Sequence, residues 1–274
     1  MRLYFSKKEY AYSLQKFKLG LPNNILMEFY VVLVLSTIMG LSIFVSYPLV
    51  VHGKLSRKMS TYLNGFAIGI LIFLIADVFS DAASIMYNGS LYGYGSSLPY
   101  DAEFVLSLTA GFGLLYIASM ASGKEPQMAR LSILIAVGIG LQNLTEGLVL
   151  GSLLFRIGLL GITYVLVLGF TIQNITEGFP IGAPTLGTPN RSKLLLASAF
   201  MIGGVPTIIG GAAGYYFSSS SFNVIFDGLA VGAIFYIILP MLRSIFLKNS
   251  GSALGIAYFS VFMGFTVGLL VNLI

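Results

Sequence analysis

Two six-residue phrases hold the densest chemistry in this chain: Gln142-Asn143-Leu144-Thr145-Glu146-Gly147 and Gln173-Asn174-Ile175-Thr176-Glu177-Gly178. Each sets one carboxylate and two amides in otherwise apolar sequence. On a helix, Glu146 falls four residues after Gln142 and three after Asn143, so the three polar groups share a face. Gln173, Asn174 and Glu177 repeat the spacing. Two such faces turned toward each other make a cage of carboxylate and amide oxygens, the donor type that holds divalent cations. A carboxylate inside a membrane helix costs about 3 kcal/mol or more, and so marks a pathway or a site. The same groups have a plainer use as polar glue, two helices hydrogen-bonding through Gln, Asn and Thr with the glutamates protonated.

The elements that must position these phrases are membrane spans. The chain has 274 residues, is 57% apolar and 9% charged, and has a mean hydropathy of +0.90. That charge content excludes an ordinary soluble domain, which carries about 25% charged residues. Cysteine is absent, which removes disulfides, thiolate metal sites and Cys nucleophiles. The one histidine, His52, falls in a basic loop and reads as a surface or interfacial residue.

Residues 1–28 form a basic segment with Arg2, Lys7, Lys8, Lys16 and Lys18 among Tyr, Phe and Leu, and lack a signal-peptide pattern. An amphipathic interfacial segment is expected there. Eight apolar runs follow, each close to the ~20 residues that span a bilayer, at about 29–51, 62–86, 102–122, 129–152, 157–183, 194–217, 222–245 and 252–274. The expected fold is therefore an all-α polytopic membrane protein, with residues 29–274 as one eight-helix domain ending at the eighth span. Asn88-Gly89-Ser90, in the 87–101 loop, is a glycosylation sequon by pattern only.

Lys54, Arg57, Lys58, Lys124, Arg130, Arg191, Lys193, Arg243 and Lys248 gather in the odd-numbered loops, against Arg156 in the even ones. Positive residues favour the cytoplasmic side, so both termini are expected outside a cell membrane, with the five basic residues of the N-terminal segment as a counterweight. Asp77 and Asp81 then sit four apart in the outer half of the second span, and Asp227 near the outer end of the seventh. They read either as a lining for an ion's approach or as ordinary interfacial acids. Pro180 and Pro184 follow Glu177, and Pro180 removes the amide that would bond the Thr176 carbonyl, predicting a bend. The abundant glycines read as close-packing positions.

The twin phrases, with Glu third after Asn and Gly next, resemble the paired motifs of the ZIP (Zrt/Irt-like) metal transporters, which take the form His/Gln-Asn/Asp-x-Pro-Glu-Gly in the fourth and fifth spans. The resemblance implies eight spans in a 3+2+3 arrangement, inverted repeats in spans 1–3 and 6–8, and a mid-membrane site between the fourth and fifth. It implies a two-metal site, with Gln142, Glu146, Gln173 and Glu177 in one half and Asn143, Asn174 and Glu177 in the other. Asp77-Val78-Phe79-Ser80-Asp81-Ala82 is similar to the second-span phrase where the family places residues of the ion's approach. This chain departs from the pattern in three places. Gln142 and Gln173 replace histidine, Thr145 and Thr176 stand where proline is usual, and Val205-Pro206 replaces a sixth-span Glu-Pro. Imidazole suits zinc and oxygen donors suit harder ions, so Mn²⁺ or Fe²⁺, or a broad range including Zn²⁺, is expected. With two central carboxylates, one divalent ion is balanced more easily than two.

The expected function is thus transport of a divalent cation toward the cytoplasm by alternating access, with no catalytic residues and no prosthetic group. The expected partners are divalent metal ions and the lipid bilayer, with a homodimer admissible and no nucleic acid. Competing readings are a metal sensor that binds without transport and a carrier of a small organic substrate. An intramembrane enzyme is disfavoured, because neither GxSxG nor HExxH occurs and no histidine lies in a span.

Overall fold

The computed structural model describes residues 25–52, 56–87, 98–121, 128–159, 161–186, 192–217 and 219–273. Among these every element is helical: α1 (Ile25–Leu41), a 3₁₀ stretch (Ser42–Ser46), α2 (Tyr47–His52), α3 (Arg57–Met86), α4 (Leu98–Ala121), α5 (Met128–Ile157), α6 (Gly161–Gly182), a 3₁₀ turn (Ala183–Thr185), α7 (Lys193–Tyr216), α8 (Ser220–Lys248) and α9 (Ser252–Asn272). Most of the basic N-terminal segment and the Asn88 sequon lie outside the described residues. Its last residues, Ile25–Glu28, already belong to α1 rather than to a separate segment.

Among the described residues, six apolar stretches are long enough to cross a membrane: Glu28–Val51, Lys58–Met86, Met128–Phe155, Lys193–Tyr216, Ser220–Leu247 and Ser252–Asn272. The chain is therefore an α-helical protein built for a bilayer. α4 and α6, which hold the expected third and fifth spans, are not among those six. The expected first span is not one continuous helix, because Ser42–Ser46 tightens to 3₁₀. There the Ser42 hydroxyl donates to the carbonyls of Met39 (2.6 Å) and Thr171 of α6 (3.0 Å), tying the tightened turn to its neighbour.

Local sequence explains the helix starts. Ser56 and Ser192 cap α3 and α7 by accepting from the amides of Met59 (3.3 Å) and Leu195 (3.2 Å), satisfying donors that the first turn leaves free. Past the end of α5, Gly158 takes φ 69°, a left-handed conformation that stops a helix at little cost for glycine. Its carbonyl accepts from the Thr163 hydroxyl at 3.1 Å, fixing the start of α6.

Packing is organised by small residues, and the same interface is built twice. Along α3 and α9, a Cβ on Gly65 would strike Ser260 Oγ and stand 2.9 Å from the Ala257 carbonyl. A Cβ on Gly69 would meet the Val261 carbonyl and Phe265 N, and one on Gly264 the Phe66 carbonyl. Along α8 and α4, Gly228 faces Ser107 Oγ and the Phe104 carbonyl at 2.8 Å, Gly232 faces the Leu108 carbonyl and Phe112 N, and Gly111 faces the Leu229 carbonyl. Atom for atom, α3 corresponds to α8 and α9 to α4. Even the serine bonds match, Ser260 Oγ to Ala257 O at 2.8 Å and Ser107 Oγ to Phe104 O at 3.0 Å.

The correspondence continues in the remaining helices. Gly40 of α1 and Gly204 of α7 each abut the other's carbonyl, so these two helices cross where the relation maps one onto the other. Gly147 of α5 abuts the Thr207 carbonyl as Gly178 of α6 abuts the Ile43 carbonyl. Ascending residues of α3 meet ascending residues of α9, so those helices run parallel. Only Asn249–Gly251 separates α8 from α9, so α8 runs against α9 and hence against α3. The two halves are therefore inverted relative to each other.

Candidate functional site

The twin phrases lie in α5 and α6, halfway through the bundle, and the Gly147 and Gly178 approaches press each against a neighbouring helix. All six predicted ligands are buried: Asn143, Asn174 and Glu177 expose nothing, Gln142 exposes 3%, and Glu146 and Gln173 expose 6%. Gln142 Nε2 donates to Glu146 Oε1 at 3.0 Å, one turn away, and across to Glu177 Oε1 at 3.1 Å. Gln173 Nε2 donates to Glu177 Oε1 at 3.2 Å, repeating the first bond in the second phrase. Asn174 Nδ2 reaches back to Glu146 Oε2 at 3.4 Å. One donor thus serves both carboxylates, and the two sit side by side as the sequence predicts.

The inverted relation loosens at this point. Asn174 serves Glu146 and Asn143 serves Glu177, but Asn143 Nδ2 also donates to the Gly203 carbonyl of α7 at 2.9 Å. Gln173 also touches Asp77 Oδ2 at 3.5 Å, and Asn272, at the end of α9, donates to Asp77 Oδ1. Gly203 and Asn272 are site neighbours that sequence reasoning missed. Gly203 stands with Gly204 in a glycine-rich helix and reads as a packing position, and an asparagine at the end of a helix carries no signal of its own.

The amide nitrogens are all spent on carboxylates or a carbonyl, which turns the amide oxygens the other way. Gln142 Oε1, Asn143 Oδ1, Asn174 Oδ1 and Glu177 Oε2 are buried without a hydrogen-bond partner. Among the described residues only Glu103 Oε2 and Thr207 Oγ1 share that condition, so four of the six orphaned atoms belong to the twin phrases. A buried unpaired oxygen costs about 1–3 kcal/mol, so these four are the atoms of the twin phrases free to take a water, a proton or a bound ion. No group of three or more His, Cys, Asp or Glu suited to hold a metal occurs among the described residues. Any cation held here takes two carboxylates and several amide oxygens, a hard donor set.

The other acidic residues divide. Asp77 is half-buried beside Gln173, and Asp81 is exposed one turn on. Asp227 exposes only 3%, unlike the solvated helix-end residue that its position near the start of α8 allows. It feels the charges of Asp81 and Asp77, so these three carboxylates lie near one another. Pro180 lies inside α6, which runs on to Gly182 before tightening to 3₁₀ at Ala183–Thr185. The Thr176 hydroxyl donates to the Gln173 carbonyl at 2.7 Å. The His52 side chain lies outside the described part of the structure.

No family model matches this chain, and no curated protein matches it significantly.

Proposed function

We propose that the chain is a ZIP-like multi-pass transporter of divalent metal cations that binds its cargo between Glu146 and Glu177. The observation that carries this reading is the buried carboxylate pair Glu146 and Glu177, bridged by the Gln142 amide, in the same two phrases that hold four oxygens without a hydrogen-bond partner. Polar glue accounts for the bonds that cross between α5 and α6, yet it leaves those oxygens unexplained. A cation with two positive charges balances the two carboxylates, and amide groups that turn about their terminal bond offer it their oxygens.

The doubled packing supports the rest of the reading. Exchange of α3 with α8, α9 with α4, and α5 with α6 fits eight spans in a 3+2+3 arrangement, with inverted halves around the fourth and fifth. Inverted halves around a central site suit alternating access, in which one group of helices rocks against another. In this mechanism the ion gathers at Asp227, Asp81 and Asp77 and sheds part of its water. It then binds at Glu146, Glu177 and the amide oxygens, and leaves on the side of the basic loops, the cytoplasm by charge count.

The donor set favours Mn²⁺ or Fe²⁺ over Zn²⁺, since no imidazole is present. Titrating the detergent-purified protein with Mn²⁺, Fe²⁺, Zn²⁺, Ca²⁺ and Mg²⁺ tests this by thermal shift. An ion at 100 times its Kd stabilises the folded state by about 2.7 kcal/mol, so the melting temperature rises with concentration. The expected result is a larger rise with Mn²⁺ than with Zn²⁺ at equal concentration, accompanied by Mn²⁺ flux into proteoliposomes. A rise without flux points to a sensor, and no rise with any ion rejects the site.

A further inference from the structure

We propose that Asn64 lines the passage on the far side of the site from Asp227, giving the ion an acidic mouth at one end and a neutral amide mouth at the other. The inference rests on the transport reading and adds a residue that the twin phrases do not contain.

The argument starts from the doubled interface. Gly65 stands to Ser260 as Gly228 stands to Ser107, and Gly69 to Val261 as Gly232 to Leu108. This register aligns Asn64-Gly65-Phe66-Ala67-Ile68-Gly69 with Asp227-Gly228-Leu229-Ala230-Val231-Gly232. Four of the six pairs are identical or differ by one methylene or less, and a fifth exchanges Phe for Leu. The remaining pair is Asn64 with Asp227, so the inverted relation places the amide where the other half has its buried carboxylate. Because α3 and α8 run in opposite directions, the two residues lie toward opposite faces of the bundle.

Independent contacts put Asn64 beside the helix that carries Glu177. One turn earlier on the same face, Ser60 Oγ donates to the Leu186 carbonyl just past α6 at 3.2 Å. Farther along α3, on another face, Phe66 meets Phe179 edge-on with ring centroids 6.3 Å apart, so α3 lies against α6 here. Asn64 itself is half-buried, and Asn64 Nδ2 donates to the Ser60 carbonyl at 2.8 Å, which leaves its oxygen turned from the helix. The face of the bundle at this end is basic, with Lys58, Lys193 and Arg243 all exposed.

The chemistry follows from charge. A carboxylate draws a divalent ion strongly even through water, whereas an amide oxygen offers one weak ligand. Asp227, Asp81 and Asp77 therefore raise the ion's local concentration at their mouth. Asn64 helps an ion across without retaining it. The asymmetry sets the affinity of each mouth and leaves the overall equilibrium to the ion gradient.

The chain lacks cysteine, so single cysteines report accessibility without a background. Asn64→Cys, Asp227→Cys and Lys58→Cys are reconstituted in proteoliposomes and treated from each side with a membrane-impermeant, negatively charged methanethiosulfonate. The expected result is that Asn64→Cys reacts from the Lys58→Cys face and Asp227→Cys from the opposite face. Asn64→Asp, checked for an unchanged Mn²⁺ thermal shift, is expected to lower KM for Mn²⁺ supplied at the Lys58 face roughly tenfold. Its KM from the Asp227 face should stay as it was. An Asn64→Cys thiol that is unreactive from both sides, or reactive from the Asp227 face, overturns the proposal. So does an Asn64→Asp variant with unaltered KM at the Lys58 face. If Mn²⁺ neither stabilises nor crosses with the unsubstituted chain, the transport reading is what fails, and the sidedness of labelling still decides whether Asn64 meets water.

Discussion

Glu146→Gln and Glu177→Gln are each expected to abolish ion-dependent stabilisation and ion flux while leaving the protein folded. Glutamine keeps the volume and one oxygen of glutamate, so packing between α5 and α6 survives. What it removes is a negative charge that faces a doubly charged ion in surroundings almost free of water. Losing one partner of a buried charge pair costs about 2–5 kcal/mol, which lowers affinity by roughly 30-fold to several thousand-fold. In the ion-free protein the sign reverses. Glu146 and Glu177 share the Gln142 donor, and neutralising either relieves repulsion between adjacent buried carboxylates. The melting temperature without ion should therefore hold or rise, while the increment with Mn²⁺ vanishes. Thermal melts with and without Mn²⁺, beside flux assays, separate this from simple unfolding. An ion-dependent shift and flux that persist in both single variants would reject the twin phrases as the site.

The site was more legible in the sequence than the architecture that holds it. Gln142, Glu146, Gln173 and Glu177 announce themselves because charged and amide groups are rare in apolar runs, and helical spacing alone puts them on one face. The structure then brings the two faces together, with Gln142 bridging both glutamates. Sequence alone could not supply the direction of each amide, which depends on where neighbouring carbonyls lie. Asn143 turning to Gly203 is such a case, since the acceptor is a backbone atom sixty residues away.

The inverted doubling shows the opposite balance. Its sequence trace is the likeness of Asn64–Gly69 to Asp227–Gly232, together with Ser107-x-x-x-Gly111 and Ser260-x-x-x-Gly264. Short glycine spacings recur in any membrane helix, so the trace carries no weight until the packing pairs the right copies. The break at Ser42–Ser46 did leave a cue. Pro48 has no amide for the Phe44 carbonyl, which accepts from the Tyr47 amide instead, while the Ser42 hydroxyl bonds Thr171 of a helix distant in sequence.

Gly69→Ala and Gly232→Ala are expected to destabilise the protein by about 1–3 kcal/mol each, and by nearly equal amounts. In both places the added methyl meets backbone, the Val261 carbonyl and Phe265 N in one half and the Leu108 carbonyl and Phe112 N in the other. Backbone inside a helix cannot turn aside as a side chain can, so the paired helices must part and lose contact along their length. Alanine also removes the backbone freedom of glycine in the unfolded chain, a gain of about 0.4–1 kcal/mol that offsets part of the loss. Gly113→Ala provides the control, because a Cβ there has open space around it, and its expected effect is neutral to slightly stabilising. Thermal or denaturant midpoints in one detergent measure all three. Equal losses at Gly69 and Gly232 beside an unharmed Gly113 variant would reflect one interface used twice. A loss at one glycine alone would mean that the two halves, alike in backbone, do not share the load.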